Sequence, residues 1–326
     1  MAKEFDVVVA GGGIAGLSAG LTSARLGIRT LILTGDLPGG QLVSIEKVEG
    51  LPGHPDGIPG YDLCPIMQDQ AAAAGAEFMM SSVMRLDSAG AKWKVTSSED
   101  VIVAGAVILA TGSDFKKLDV PGEERLTGSG VSHCATCDAP LLRGRIVAVV
   151  GGGDSAMQEG LTLAEFASKV ILFHRGDELA GQKYYRDRVM THPKIEVRSN
   201  TIASEILGET AVAGLRTQDI RSGAASDVEI AAVFSYVGLR PNTAFVQNLL
   251  SLDSASRIPT DALTRTGLPG LCAAGTIRAQ SPCRAASAAG DGATAAVAAD
   301  RFLADGSWSG SEIGRDSEAL RARAHG

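Results

Sequence analysis

The sequence is short of the features that mark several large classes of protein. Aromatic side chains make up only 4% of its 326 residues, too few to build the stacking platforms on which single-stranded nucleic acids are bound. Basic residues are outnumbered, 30 Lys and Arg against 37 Asp and Glu, for a net charge of −7. Binding to nucleic acid or to an anionic membrane relies on clustered cations, so neither is expected. No uninterrupted apolar run approaches the ~20 residues that cross a bilayer. Met1 to Asp6 leads straight into an apolar strand, without the basic, apolar and small-residue order of an export signal. Cysteines number five, an odd count with no framework spacing. That argues against a disulfide-stapled secreted scaffold and points to a reducing, cytoplasmic compartment.

Glycine, at 40 residues, is abundant, and two of its clusters are informative. Gly11-x-Gly13-x-x-Gly16 follows the Val-rich run Phe5 to Ala10 and precedes a small-residue helix pattern, Leu17 to Leu26, and a second strand, Arg29 to Leu33. A parallel strand covered on both faces reads as a continuous apolar run. A glycine turn between such a strand and a helix lets backbone N–H groups and the helix dipole hold a pyrophosphate. The plan returns in Arg145 to Val150, Gly151-x-Gly153-x-x-Ala156, Met157 to Ala167 and Lys169 to Phe173. The expected fold class is therefore α/β, with two Rossmann-like dinucleotide-binding domains and two cofactors.

Residues 76–107 read as a meander within the first domain, followed by a returning strand at Val107 to Gly112. Crossovers are expected at Asp114 to Gly122 and at Gly238 to Thr243, which inserts the second domain (118–241) into the first (1–114 and 244–305). Ala285 to Leu303 reads as an Ala-rich helix interrupted by Gly290-Asp291-Gly292, and 306–326 as a mobile or surface-covering tail.

Between the glycine turns lies Cys134-Ala135-Thr136-Cys137-Asp138. A Cys-x-x-Cys pair can cycle between dithiol and disulfide, and its setting commonly favours the thiolate of one sulfur. Zinc is the alternative, but a tetrahedral site needs four ligands and usually a second pair. Cys64, Cys272 and Cys283 are scattered singly, and His133 alone does not complete a cage, so redox chemistry is favoured and no metal is expected.

Taken in order, Gly39-Gly40-Gln41-Leu42, Ala110-Thr111-Gly112, Cys134 to Asp138, Gly151-Gly152-Gly153, Pro241-Asn242-Thr243 and Ala288-Ala289-Gly290-Asp291-Gly292 make the chain resemble the low-molecular-weight thioredoxin reductases. The resemblance runs from about Phe5 to about Leu303. It implies FAD on Gly11, Gly13 and Gly16, with Gly39, Gly40 and Gln41 lining the flavin and Thr111, Gly112, Gly275, Thr276, Arg284 and Ala285 completing the site. It implies a nicotinamide dinucleotide on Gly151, Gly153 and Ser155, with Arg175 near its ribose. Cys137 would face the flavin, Cys134 would attack the disulfide of thioredoxin or a thioredoxin-like protein, and Asp138 would protonate a leaving thiolate. A homodimer is implied as well. The alternative for Asp138 is a helix N-cap.

The chain departs from the family at four places, one being Ala139-Pro140, which replaces a Gly-aromatic pair after Asp138 and is expected to reshape the partner-facing surface. Where the family carries an arginine cluster for the extra phosphate of NADPH, His174-Arg175-Gly176-Asp177-Glu178-Leu179-Ala180 has a single arginine. Arginine's fork suits phosphate, so the donor stays open between NADPH, NADH and another reductant, and an oxygen-dependent dithiol oxidase is the alternative activity. Ala274-Gly275-Thr276 replaces an Ala-Gly-Asp that would bond the ribityl chain. Cys283 is new beside the flavin end and is expected to be a small buried side chain.

Overall fold

A computed structural model describes residues 3–308. The chain forms two compact units. One is built from the segment ending at Asp114 and the segment beginning at Pro241, and the other is Phe115–Arg240.

The first unit is organised on one sheet. Strand Lys3–Ala10 runs parallel to Thr30–Leu33 on one side and to Val101–Leu109 on the other. Glu77–Met79 extends the sheet beyond Thr30–Leu33, and Leu271–Ala273 lies parallel to Val101–Leu109. Val83–Ala89 and Lys92–Ser97 join antiparallel at the far edge. The expected break between a meander and a returning strand is absent. Val101–Leu109 is a single strand that pairs through Val101 to Ala104 with the meander and through Val107 to Leu109 with Leu271–Ala273. Its nine residues contain no polar side chain, so nothing in them favours an interruption.

One face of this sheet, with Val7, Val9, Ile32 and Ile108, is covered by helices Ile14–Arg25 and Ala285–Asp305 through Ala15, Ala19, Ala288, Ala295 and Ala299. The other face packs Val8, Leu31, Ile102 and Leu109 against Trp93, Val246 and Ile277. The C-terminal helix runs unbroken through Gly290-Asp291-Gly292, against the sequence-based expectation. A β-carbon on Gly292 would lie 2.0 Å from the carbonyl oxygen of Ala15. The glycine therefore permits close helix contact, and packing outweighs its poor helix propensity. The helix ends at Gly306, in the left-handed region. Trp308 then packs on Phe302 and donates to the carbonyl of Thr266. The remainder of the expected tail lies outside the described residues.

The second unit holds a parallel sheet in the order Ile195–Arg198, Lys169–Phe173, Ile146–Val150, Ala232–Ser235 and Val131–Ser132. Helices Asp154–Phe166 and Lys183–Thr191 and a three-stranded antiparallel sheet, Thr201–Leu207, Gly214–Asp219 and Ala225–Glu229, complete it. Its central strands are fully buried at Val147, Val149, Val170 and Leu172, as a doubly covered parallel sheet requires.

Candidate active site

The first glycine turn is tightly built on one side and open on the other. Gly11 has φ +124°, in the region that favours glycine, and a β-carbon on Gly16 would sit 1.9 Å from the Gly11 carbonyl oxygen. At Gly13, by contrast, a β-carbon would meet nothing nearer than the Gly39 oxygen at 3.9 Å. Helix Ile14–Arg25 begins there with no side-chain cap and no acidic residue in its first turn. Its terminal N–H groups and the positive end of its dipole suit an anion.

Three segments close around this turn. Gly39 donates its N–H to the Gly12 oxygen at 2.9 Å, which docks the Gly39-Gly40-Gln41 loop, and the Gln41 amide donates to the Ser113 carbonyl. Thr111 and Gly112 are braced by Asn242: the Thr111 hydroxyl donates to the Asn242 oxygen at 2.8 Å, and the Asn242 N–H donates to the Gly112 oxygen at 3.0 Å. The turn Gly275–Ile277 lies against Ala15, and Thr276 accepts the Ser113 hydroxyl at 2.8 Å. Arg284 and Ala285 stand at the start of the C-terminal helix. The structure thus brings the Gly39–Gln41 loop, Thr111–Gly112 and the turn Gly275–Ile277 together around one helix N-terminus, while Arg284 and Ala285 are placed only at the start of another helix. The space beside Gly13, which a side chain would fill, fits a dinucleotide pyrophosphate.

In the second unit Cys134 and Cys137 form a disulfide, with α-carbons 5.4 Å apart. Cys137 is exposed and Cys134 half-buried. Cys134 is the N-cap of the short helix Ala135–Asp138: its Sγ accepts the Cys137 N–H at 3.2 Å, while its own N–H donates to the Ser132 hydroxyl at 3.0 Å. The capping alternative for Asp138 is not realised: it stands at the N-cap of the turn Ala139–Leu142, but its side chain makes no cap bond there. Below the turn lie the buried side chains of Glu159 and Tyr236. Burial, with the carboxylates of Glu159 and Asp138 nearby, pushes the Tyr236 hydroxyl well above its ordinary range, so it stays protonated. The His133 ring stacks on Phe115 and donates from Nδ1 to the Ser235 carbonyl at 2.8 Å.

The family model for pyridine nucleotide-disulphide oxidoreductases matches residues 5–292. The thioredoxin reductase of Treponema pallidum is 36% identical over 303 residues, spanning 93% of this chain and 98% of that protein. That of Streptomyces coelicolor is 37% identical over 307 residues, 93% of this chain and 95% of that protein. The chain belongs to the thioredoxin reductase family. The solved thioredoxin reductase of Lactococcus lactis superposes with a TM-score of 0.90 at 34% identity, covering 92% of this chain and 99% of that one. The T. acidophilum thioredoxin reductase gives 0.88 at 31% identity, covering 93% and 99%. The two Rossmann-like domains expected from the glycine turns are those of this family.

A second glycine turn is present in the second unit, and it differs from the first in charge. Gly153 precedes helix Asp154–Phe166, and a β-carbon there would point into open space. The first helical turn carries Asp154, whose carboxylate accepts the N–H and side-chain amide of Gln182 at 2.6 and 3.0 Å. Ser155 is exposed beside it. Past the strand Lys169–Phe173, His174 Nε2 donates to the Glu178 carbonyl at 2.7 Å, and Arg175 is exposed. Three nearby cations are in ion pairs: Arg221 with Asp177, Lys183 with Asp187 at 2.5 Å, and Arg198 with Glu196 at 2.6 Å.

The remaining cysteines stay apart from the redox pair. Cys64 and Cys272 are buried, and desolvation pushes their thiols up to about 11 and about 12. Cys283, expected to be buried, is instead half-exposed at φ +54°, with its Sγ 3.7 Å from Arg257 Nη2. Among the described residues no group of three or more His, Cys, Asp or Glu side chains could hold a metal ion. Sequence reasoning placed Asn242 in a crossover and both Asn242 and Asp291 in family motifs, but foresaw none of the contacts made by Ser113, Asn242 or the pair Arg278–Asp291. The charged Asp291 within an Ala-rich helix was the one local signal of the last.

Proposed function

We propose that this family member reduces the disulfide of thioredoxin or a thioredoxin-like protein, drawing electrons from a reduced nicotinamide dinucleotide by way of FAD. The carrying observation is the Cys134–Cys137 disulfide, set in a helical turn whose first sulfur is the N-cap. When bound, FAD supplies the two-electron relay between the donor and this disulfide. Gly11, Gly13, Gly16 and the loop Gly39–Gln41 would hold it, while Gly151, Gly153, Ser155 and Arg175 would receive the dinucleotide.

The chain's own sulfurs then perform exchange. In the dithiol state, a Cys134 thiolate is stabilised at the helix N-terminus by the Cys137 N–H. It attacks one sulfur of the partner's disulfide, forming a mixed disulfide and releasing the partner's other sulfur as a thiolate, which takes a proton from Asp138. Asp138, now a carboxylate, takes the Cys137 thiol proton as Cys137 attacks Cys134 Sγ; the internal disulfide re-forms, and the partner's second sulfur leaves as a thiolate that receives this proton. One disulfide is reduced and one is oxidised, with two protons delivered to the partner.

The charge around the second glycine turn favours NADH as donor. A 2′-phosphate needs cations at the end of the strand Lys169–Phe173. Beside Arg175, the cations Arg221, Lys183 and Arg198 are already matched by Asp177, Asp187 and Glu196. Among the described residues no helix is long and apolar enough to cross a membrane. We take the enzyme to act in the cytoplasm as a homodimer, which light scattering of the purified protein tests. The deciding experiment is anaerobic reduction of the flavoprotein by NADH and by NADPH, followed by reduction of thioredoxin. Turnover that survives Cys137→Ser sinks the disulfide relay, and faster flavin bleaching by NADPH sinks the donor assignment.

A further inference from the structure

One buried charge in the first unit plays no part in the chemistry above. Asp291 projects from within helix Ala285–Asp305 and is 9% exposed. Carboxylates are rarely so buried unless paired, and this one has three bonds. Its Oδ2 accepts the Gly275 N–H and Arg278 Nε, each at 3.1 Å, and its Oδ1 accepts Arg278 Nη2 at 2.9 Å. Arg278 Nη1 reaches on to the Thr260 hydroxyl at 3.2 Å. One carboxylate therefore grips the turn Gly275–Ile277 at its first residue and again just past its end.

That turn is part of the wall expected to receive FAD. Gly275 has φ +77°, and a β-carbon on it would lie 3.0 Å from Ala15 Cβ, in the first turn of helix Ile14–Arg25. Thr276 accepts the Ser113 hydroxyl, and the Ser113 carbonyl accepts the amide of Gln41. Asp291 is thus the far anchor of a polar chain that runs through Gly275–Thr276 and Ser113 to the loop Gly39–Gln41. A buried ion pair adds little net stability compared with apolar packing. What two bonds to a planar guanidinium and one to a backbone N–H do impose is position.

We propose that Asp291, through its bidentate pair with Arg278, is a positioning residue for FAD that holds the turn Gly275–Ile277 in the conformation that receives the cofactor. This rests on the flavin reading of the first glycine turn. The test uses the FAD-loaded protein and its Asp291→Asn, Arg278→Lys and double Asp291→Asn/Arg278→Gln variants. Three readouts are taken: the FAD dissociation constant from fluorescence of released cofactor, the visible circular dichroism of the bound flavin, and melting with and without FAD.

Asp291→Asn is expected to weaken FAD about ten-fold, the worth of a charge-assisted bond. It should alter the flavin's dichroism and lower the melting temperature of the FAD-loaded protein by more than that of the FAD-stripped protein, which loses only the buried pair. Arg278→Lys keeps the charge but loses the fork and should behave alike, and the double variant should be no worse than the singles, because the pair acts as one unit. Wild-type affinity and dichroism in Asp291→Asn overturn the proposal, as does an equal loss of melting temperature with and without FAD, which marks a purely structural role. Wild-type protein that retains no FAD overturns the flavin reading itself, a separate and recognisable failure.

Discussion

Gly290 and Gly292 stand two residues apart in one helix, and replacing each with alanine should move stability in opposite directions. In an exposed helix interior, Gly to Ala gains roughly 1 kcal/mol from propensity alone. Gly290 is exposed, and a β-carbon there would meet nothing within 4 Å. Gly290→Ala should therefore stabilise the first unit by about 0.5 to 1 kcal/mol. At Gly292 the same carbon would lie 2.0 Å from the Ala15 oxygen and 3.0 Å from the Ala19 nitrogen. Both are backbone atoms of helix Ile14–Arg25 and cannot rotate away, so the two helices must part. Overpacking of this kind costs about 1 to 3 kcal/mol, at the upper end where backbone opposes it. After the propensity gain, a net loss of about 2 kcal/mol remains. Urea unfolding followed by far-ultraviolet dichroism gives both values, and FAD affinity should fall only in Gly292→Ala, because the displaced helix carries the pyrophosphate end. Equal stabilisation by the two substitutions would refute the claim that close helix contact, rather than a break in the helix, explains this glycine pair.

Three further outcomes follow from the site and its surroundings. Cys64 and Cys272, with ordinary thiol values of 9.0, are held up to about 11 and about 12 by burial. The native state therefore keeps protons that the unfolded chain releases, so their stabilising share is whole below pH 9 and fades as pH rises toward 11 to 12. Denaturation midpoints taken across that window should fall, and Cys64→Ala should flatten the fall; an unchanged slope refutes it. Before reduction, a chromogenic thiol reagent should find one fast-reacting thiol, Cys283, since Cys134 and Cys137 are bonded and Cys64 and Cys272 are buried. Alkylation mapped by mass spectrometry at another cysteine would contradict this. Asp177→Asn, which frees Arg221 from its ion pair, should raise kcat/KM for NADPH relative to NADH by several-fold, within the ~1 kcal/mol typical of an exposed charge. An unmoved ratio would place the 2′-phosphate away from this loop.

The elements that could be read directly from the sequence were those fixed by local pattern. Lys169 to Phe173 is a strand with the bounds expected from its apolar run, and both glycine turns lie between strand and helix, where a pyrophosphate site requires them. The misread strand and helix both involve contacts distant in sequence. The C-terminal helix looked interrupted because Gly-x-Gly is a poor local helix former, and the Ala15 carbonyl that explains it lies far back in the chain. Val101–Leu109 looked like two pieces because its two sets of partners, on either side of Gly105, come from different parts of the sequence. Asp138 is a plausible cap by residue type and does precede the turn Ala139–Leu142, yet its side chain makes no cap bond, which residue type alone does not foretell. The clamp on Gly275 could not be seen either, because Asp291 and Arg278 become neighbours only when the C-terminal helix packs on the sheet.

The sulfur cap at Cys134 joins two duties in one atom. It terminates a short helix and it is the proposed nucleophile, so the two can be separated only by substitutions of unequal subtlety. Serine keeps an acceptor for the Cys137 N–H and removes only the exchange chemistry. Alanine removes both and lets the turn fray, so any loss it causes mixes architecture with reactivity. The same coincidence limits what the chain can become: drift that abandons the reaction at Cys134 is steered toward serine, threonine, asparagine or aspartate by the needs of the helix alone.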